Sequence, residues 1–299
     1  MNKRCGAALF ACLFALTLSA GAYAAPRLGE PPQAPDSYYG EARLLDGDAV
    51  RAASGSNLQS GDKALSKLSR QEIGNLLSEN PLTLPDELYD EAPSVKAPYA
   101  PGELKQEALQ ATVNRLNALR RIAGLNPVTL DADLCENAQY GAVLLASSDY
   151  FGHSPPQPAD MDDDFYQKAF EAASSSNIAW GYGLTGAVDG FMDDSDGGNI
   201  DRLGHRRWQL NPTMGKVGFG YADNRTTEKV FDRSASGGDY DFVAWPASGY
   251  FPSGMLGANQ AWSVSLNQER YAVPAQSDLT VTLRREILCR RRFRTLFPR

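Results

Sequence analysis

The chain contains two histidines, His153 and His205, and each directly follows a glycine at the edge of a predicted helix or loop. Imidazole is a common metal ligand, and its protonation changes near neutral pH, so histidine is also the usual general acid or base. A lone histidine is more often structural than catalytic. Because the sequence holds no third histidine, the case for chemistry depends on whether these two side chains meet in the folded protein.

The motifs of several other kinds of functional site are absent from the sequence. It contains no His-Glu-x-x-His, Gly-x-Ser-x-Gly, phosphate-loop or Cys-x-x-Cys pattern, which argues against a zincin, an α/β-hydrolase, a nucleotide site and a zinc ribbon. The segment 193–201 is dense in oxygen ligands that suit Ca²⁺. It lacks the EF-hand order of acids and the terminal Glu, so it is more typical of a solvated loop.

The charge along the chain is uneven. The whole chain has 29 basic and 36 acidic residues and a net charge of −7. Residues 1–24 contain two bases and no acid, and residues 284–299 contain seven arginines and one acid. The remaining residues therefore number 20 basic and 35 acidic, a net charge of −15. This excess of acid argues against nucleic acid as a partner.

The first 24 residues predict an export signal. Lys3 and Arg4 precede an apolar stretch at 7–18, and Ala22-Tyr23-Ala24 supplies the small residues that come before a cleavage site. About a dozen apolar residues are too few to cross a bilayer, which takes roughly 20. We therefore expect cleavage after Ala24 rather than an uncleaved anchor, secretion to the periplasm or the extracellular space, and no transmembrane segment in the mature chain.

The cysteines are consistent with this expectation. Two of the four, Cys5 and Cys12, lie within the predicted export signal. The remaining two, Cys135 and Cys289, are too few for a disulfide framework. Cys135 lies in an apolar helical pattern and is predicted to be a buried thiol.

Residues 25–102 are rich in Pro, Gly, Ser and acid, which predicts a loosely ordered arm. Such a segment buries too little apolar surface to offset its ordering entropy. One short helix is expected in the arm. Ser69-Arg70-Gln71-Glu72 has capping-box spacing there, and apolar residues follow on one face.

Denser hydrophobic patterns begin at Glu103. Apolar residues at helical spacing predict one helix that ends at Ala123-Gly124 and a second that runs from about Ala132 and ends before Pro155-Pro156. Weaker helical patterns follow at 161–173 and 186–192. Alternation then predicts strands at 216–221, 242–245, 261–266 and 279–283. Helices followed by strands favour an α+β fold with a β-rich extension.

Residues 284–299 break the strand pattern with a run of arginines. A basic tail could bind an anionic surface. The two alternatives are a poorly ordered terminus and a reading-frame change that truncated the β-rich extension. We favour the frame change.

An ordered series of short segments carries a resemblance to a known superfamily. The series is Asn117–Val128, Leu134 with Ala138, Gly152-His153, Asn177-Ile178-Ala179-Trp180, and Gly204–Pro212 leading to Val217-Gly218-Phe219-Gly220. Over about residues 105–222 it resembles the CAP superfamily of cysteine-rich secretory proteins, insect venom allergens and plant pathogenesis-related proteins, which has secreted bacterial members. The later segments resemble the β-rich extension of some bacterial members: Val243–Pro246, Gly249–Pro252 and Trp262–Leu266.

The resemblance implies an α-β-α sandwich with a cleft in which two histidines and two acids hold a divalent cation. By position these residues are His153, His205 and Asp194, while Ser176 stands where the family has its other acid. Two imidazoles and one carboxylate are still a ligand set for Zn²⁺. Because one carboxylate is missing, the resemblance implies that Zn²⁺ or another divalent cation binds weakly.

The predicted organisation has five parts: an export signal at 1–24, the arm at 25–102, a CAP-like domain at 103–222, a β-rich extension at 223–283 and a basic tail at 284–299. The favoured function is a secreted, non-catalytic binding module for an unknown extracellular ligand that is lipid-like, a glycan or a protein. One alternative is a metal-dependent hydrolase or peptidase, which the missing acid makes less favoured. The other is a structural or adhesive protein of the cell envelope.

Overall fold

The computed structural model describes residues 25–35, 68–267 and 269–271. Its α-helices are α1 Arg70–Glu79, α2 Gln106–Ile122, α3 Ala132–Ala146, α4 Asp163–Ser174, α5 Leu184–Asp193 and α6 Gly204–Gln209, with a 3₁₀ turn at Ser253–Met255. Its strands are β1 Arg27–Leu28, β2 Tyr89–Glu91, β3 Glu103–Leu104, β4 Thr129–Leu130, β5 Ser176–Trp180, β6 Lys216–Ala222, β7 Arg225–Lys229, β8 Phe242–Trp245 and β9 Ser263–Leu266. None of these helices is long and apolar enough to cross a membrane.

A five-stranded sheet with the order β1-β5-β7-β6-β4 forms the middle layer. Neighbouring residues of a strand face opposite sides of a sheet. In β5, Ile178 packs with Leu145 of α3 and Ala173 of α4, whereas Ala179 packs with Phe191 of α5. Helices α3 and α4 therefore cover one face of the sheet, and α5 covers the other. This arrangement confirms the predicted α+β sandwich.

Most of the predicted elements are present, and local sequence explains their starts. The capping box at Ser69 opens α1, with Ser69 Oγ accepting from Glu72 N and Glu72 Oε2 accepting from Ser69 N. Asp131 and Asp162 accept backbone N–H groups at the starts of α3 and α4. The strands predicted at 216–221 and 242–245 are β6 and β8. The predicted strand at 279–283 lies outside the described residues, as do the export signal and the basic tail.

A tight hairpin joins β6 to β7. Its two turn residues, Asp223 and Asn224, both have positive φ, of 41° and 63°, a conformation that Asp and Asn tolerate well. The hairpin puts β7 in the centre of the sheet, hydrogen-bonded to both β5 and β6. The sheet of the domain therefore extends past residue 222, where the sequence analysis placed the start of the β-rich extension.

One described part of the predicted arm joins the sheet. Residues 26–32, which we call the strap, include β1 and pair antiparallel with β5: Arg27 lies opposite Trp180 and Leu28 opposite Ala179. Helix α1 packs against α2, with Ile73 buried in the main core. The sequence predicted α1 but not β1, because a two-residue strand among prolines has no hydrophobic pattern of its own.

A buried arginine helps to hold the β-rich extension against the domain. Arg206 of α6 donates to the carbonyls of Met192 and Asp193 and also to Ala261 O, at 2.8 Å, and Ser263 Oγ, at 3.2 Å, at the start of β9. Strands β8 and β9 pair as a two-stranded sheet. Cys135 is partly buried rather than fully buried, and burial raises the pKa of its free thiol, which makes it a poor nucleophile.

Candidate functional site

The structure brings His205 and Asp194 into direct contact. Asp194 ends α5 in a left-handed conformation (φ 45°), which turns its carboxylate toward the first turn of α6. Its Oδ1 lies 2.8 Å from His205 Nδ1, and its Oδ2 accepts from the backbone N–H of His205 (3.0 Å) and of Arg206 (3.3 Å). The carboxylate therefore caps the helix and orients the imidazole at the same time.

This pair is sealed from solvent. Both side chains have zero exposed surface, and the His205 ring stacks on Phe191 with ring centroids 5.2 Å apart. His205 Nε2 is buried and has no hydrogen-bond partner among the described residues. The pair thus has one buried nitrogen without a partner among the described residues, and that nitrogen is closed to bulk solvent in this arrangement.

His153 contacts two backbone carbonyls rather than Asp194 or His205. Its Nδ1 is 2.7 Å from Ala173 O, and its Nε2 is 2.5 Å from Glu30 O in the strap. A neutral imidazole has one N–H and can donate to only one of these oxygens. Glu30 therefore occupies the direction in which His153 Nε2 would offer a lone pair to a metal.

Ser176 lies on the other face of the sheet from His205. Its hydroxyl donates to Ala172 O of α4 at 2.7 Å and is fully buried. The next residue, Asn177, lies on the opposite face because side chains alternate along β5. Ser176 is thus directed away from Asp194, which a linear alignment of motifs does not reveal.

In this arrangement, the residues that the resemblance assigns to a metal do not offer a common point to a cation. Asp194 has both oxygens engaged, and His153 contacts Ala173 and Glu30 instead of His205. Within the parts of the chain that the structure describes, no three His, Cys, Asp or Glu side chains are grouped so that they could hold a metal ion. Metal binding therefore requires a movement of the strap and stays a prediction.

The oxygen-rich loop after α5 contains an internally bonded turn. Asp196 accepts from Gly198 N at 3.0 Å and from Asn199 Nδ2 at 2.9 Å. Asn199 Nδ2 also donates to Gly29 O of the strap at 3.0 Å. This loop therefore contacts the N-terminal segment.

Comparison with known protein families identifies the segment that holds these residues. The profile of CAP, the cysteine-rich secretory protein family, matches residues 113–232. Residues 113–232 are a CAP domain. The match begins within α2 and ends after β7, so it includes the central strand of the sheet, both histidines and Asp194.

A solved structure similar to this chain is that of an extracellular protein containing an SCP domain from Bacillus anthracis str. Ames, with 20% sequence identity. The match covers 40% of this chain and 38% of that one, with a TM-score of 0.31. The match thus spans well under two thirds of the length of the Bacillus anthracis protein. A TM-score this low does not support the transfer of fold or function from that protein to this chain. Comparison with curated proteins finds no match.

The CAP domain also contains a buried polar cluster that the sequence analysis missed. Glu228 of β7 is fully buried and accepts from Asn177 Nδ2 at 2.9 Å and from Gln209 Nε2 at 3.1 Å. Arg120 of α2 lies close enough to interact electrostatically with its carboxylate. The sequence around Glu228 does not indicate that this residue is buried, because the segment Arg225–Lys229 contains no apolar residue.

Burial raises the pKa of Glu228 to about 7, and the hydrogen bonds from Asn177 and Gln209 and the charge of Arg120 only partly oppose this rise. Asn177 Oδ1 and Gln209 Oε1 are buried without a hydrogen-bond partner among the described residues. A protonated Glu228 carboxyl can donate a hydrogen bond to one of these oxygens when the side-chain amide is flipped by 180°. The cluster therefore accommodates a neutral carboxyl group.

We expect Glu228 to make the stability of the CAP domain fall as the pH rises. The native carboxyl keeps its proton up to about pH 7, whereas the unfolded one loses it near pH 4.5, so between these values the native state binds more protons. Relative to Glu228→Gln, the wild-type free energy of unfolding should decrease by about 3 kcal/mol from pH 4.5 to 8.5. Urea denaturation at a series of pH values measures this difference.

The control for this experiment is Glu91→Gln, which changes an exposed glutamate of β2. It should leave the pH dependence of wild-type stability unchanged. Parallel pH profiles for wild type and Glu228→Gln would contradict the raised pKa of Glu228.

Proposed function

We propose that this protein is a secreted, non-catalytic binding module built on a CAP domain, whose ligand is lipid-like, a glycan or a protein. The observation that carries this proposal is the complete burial of the Asp194–His205 pair. A general base must lie within hydrogen-bond reach of the water or substrate proton that it removes. A sealed imidazole stacked on Phe191 fits a structural role in holding the start of α6 better than a role in turnover.

Secretion is part of the proposal and is supported by the sequence. The apolar stretch 7–18 and the small residues Ala22-Tyr23-Ala24 form the expected export signal. Weak binding of Zn²⁺ by His153, His205 and Asp194 belongs to the proposal as a prediction, since it needs Glu30 to leave His153.

The extension favours a second candidate, a structural or adhesive role in the cell envelope. Trp262, Val264 and Tyr250 expose 62%, 60% and 56% of their surfaces in or near the two-stranded sheet of β8 and β9. Trp262 and Val264 are two residues apart and therefore lie on the same side of the chain at β9. Adjacent exposed apolar side chains mark surfaces that contact other molecules. This candidate places the function outside the CAP domain, whereas the first places it within the domain.

Binding and turnover are tested together with labelled probes of the three ligand classes. Fluorescein-labelled casein, anionic phospholipid vesicles and a soluble polysaccharide are each mixed with the chain that begins at Ala25, with and without added Zn²⁺. We expect binding to at least one probe by anisotropy or co-sedimentation. Casein cleavage should not exceed that of the His205→Gln variant.

Two outcomes would overturn the proposal. Casein hydrolysis that disappears in His205→Gln would establish the hydrolase alternative. Failure of all three probes to bind would contradict a binding module for these classes. Zn²⁺ binding, read by calorimetry on the same samples, should be weak and should be lost in His205→Gln.

A further inference from the structure

The strap crosses the surface between His153 and the start of α6 as an extended chain. Besides the pairing of β1 with β5, four hydrogen bonds hold it, and all four involve its own backbone. Gly29 N donates to Ile178 O at 3.0 Å, and Gly29 O accepts from Asn199 Nδ2 at 3.0 Å. Glu30 O lies 2.5 Å from His153 Nε2, and Pro32 O accepts from Trp208 Nε1 at 3.0 Å. The surface therefore recognises an extended main chain.

The acceptor surface is provided by the CAP domain and is shaped like a strand-addition groove. Strand β5 has β7 on one side, and the strap pairs with its other side. A strand with a free side offers unpaired N–H and C=O groups to any extended peptide. Asn199 is 2% exposed, and its Oδ1 has no partner among the described residues, so a further polar atom is available beside the strap.

Contacts of the strap side chains define which sequence fits. The guanidinium of Arg27 lies over the rings of Trp180, at 4.0 Å, and Phe151, at 5.1 Å. A methyl group at Gly29 would overlap the side chain of Ile178, so only glycine fits there.

Pro31 and Pro32 of the strap complete the fit. A methyl group at Gly204 would overlap Pro31, which shows that Pro31 packs directly on that glycine. Pro32 is buried where its carbonyl meets Trp208. The groove thus fits the pattern Arg-Leu-Gly-x-Pro-Pro.

We infer that this groove is a peptide-binding site that its own strap fills in cis, and that it takes an extended Gly-x-Pro-Pro peptide in trans once the strap leaves. The inference rests on the proposed binding function and deepens it by naming peptide as the ligand class. The same exchange removes the Glu30 carbonyl from His153.

The test opens the groove and supplies the occupant as a separate molecule. A chain that begins at residue 36 is mixed with a fluorescein-labelled peptide of residues 25–35, and binding is read by anisotropy. We expect this deletion variant to bind the peptide at least tenfold more tightly than the chain that begins at Ala25, because the strap there competes for the groove.

Two altered peptides show whether the contacts are those of the strap. A peptide with Gly29→Pro loses the N–H that donates to Ile178 and does not fit beside that side chain, so it should bind at least tenfold more weakly. Gln33 is exposed, so a peptide with Gln33→Ala should bind as the natural one does. A folded deletion variant that binds no peptide, or binds the Gly29→Pro peptide equally well, overturns the inference.

A second variant tests the groove in the intact chain if the deletion prevents folding. In Gly204→Ala the added methyl overlaps Pro31 and displaces the strap, whereas a peptide with Pro31→Gly leaves room for it. Gly204→Ala should bind this peptide at least tenfold more tightly than wild type does, and equal binding would overturn the inference. Neither peptide assay measures hydrolysis, so His205-dependent casein cleavage would overturn the proposed function without deciding whether the groove binds peptide.

Discussion

Replacing Arg120 with methionine is expected to destabilise the CAP domain by about 4 kcal/mol. The Arg120 side chain is fully buried and donates to four backbone carbonyls, those of Asn126, Gln209, Asn211 and Met214, at 2.7 to 3.2 Å. Methionine keeps the apolar stem but leaves these carbonyls without their donor. Urea denaturation followed by circular dichroism measures the loss.

The effect on stability follows from where the four carbonyls lie. Gln209 is the last residue of α6, and Asn211 and Met214 belong to the segment that joins α6 to β6, so one guanidinium holds that connection against α2. Burial lowers the pKa of Arg120 to about 10, while the charge of Glu228 opposes this shift, so the group stays charged at neutral pH.

The adjacent Arg121 provides a matched control because its side chain is exposed. Arg121→Met should change the free energy of unfolding by less than about 0.5 kcal/mol. A loss below about 1 kcal/mol in Arg120→Met would show that water or other donors replace the guanidinium.

Gly220→Ala is expected to destabilise the protein by at least about 3 kcal/mol. A Cβ at Gly220 would lie less than 3 Å from backbone atoms of Ala138 and Gln139 in α3. A flexible side chain can move aside, but a helix backbone packed against a sheet moves only with its whole helix. Thermal and urea denaturation of the variant give the size of the loss.

Gly74→Ala is the matched control for this substitution. Gly74 lies in the exposed part of α1, and no atom lies within 4 Å of the position that its Cβ would occupy. Alanine in a helix interior should therefore stabilise it by about 0.5 to 1 kcal/mol. If both variants changed stability by similar small amounts, α3 would not pack against β6 as closely as the structure shows.

The sequence alone determined five of the six described helices, α1 to α5, and three of the nine described strands, β6, β8 and β9, because these depend on neighbours along the chain. The capping box at Ser69, the apolar spacing in α2 and the alternation in β6 are local patterns, and each predicted its element. The ordered motifs around His153 and His205 also indicated the CAP family, since the order and spacing of motifs can be compared without knowledge of which residues are in contact.

Only the tertiary structure decided what each candidate residue touches. Asp194 reaches His205 because α5 ends in a left-handed residue, and Ser176 faces α4 because a strand alternates its sides. An alignment of sequence motifs groups these residues but does not show where their side chains point.

The roles of the strap and of Glu228 were equally hidden in the sequence. The strap has no hydrophobic pattern, since its backbone makes the hydrogen bonds and a backbone is the same in every sequence. The sequence does not distinguish Glu228 from any other glutamate, because its pKa is raised only when β5, α2 and α6 surround it and exclude solvent. Local propensity is encoded along the chain, whereas burial, pairing and pKa arise from residues that are distant in sequence and meet only in the fold.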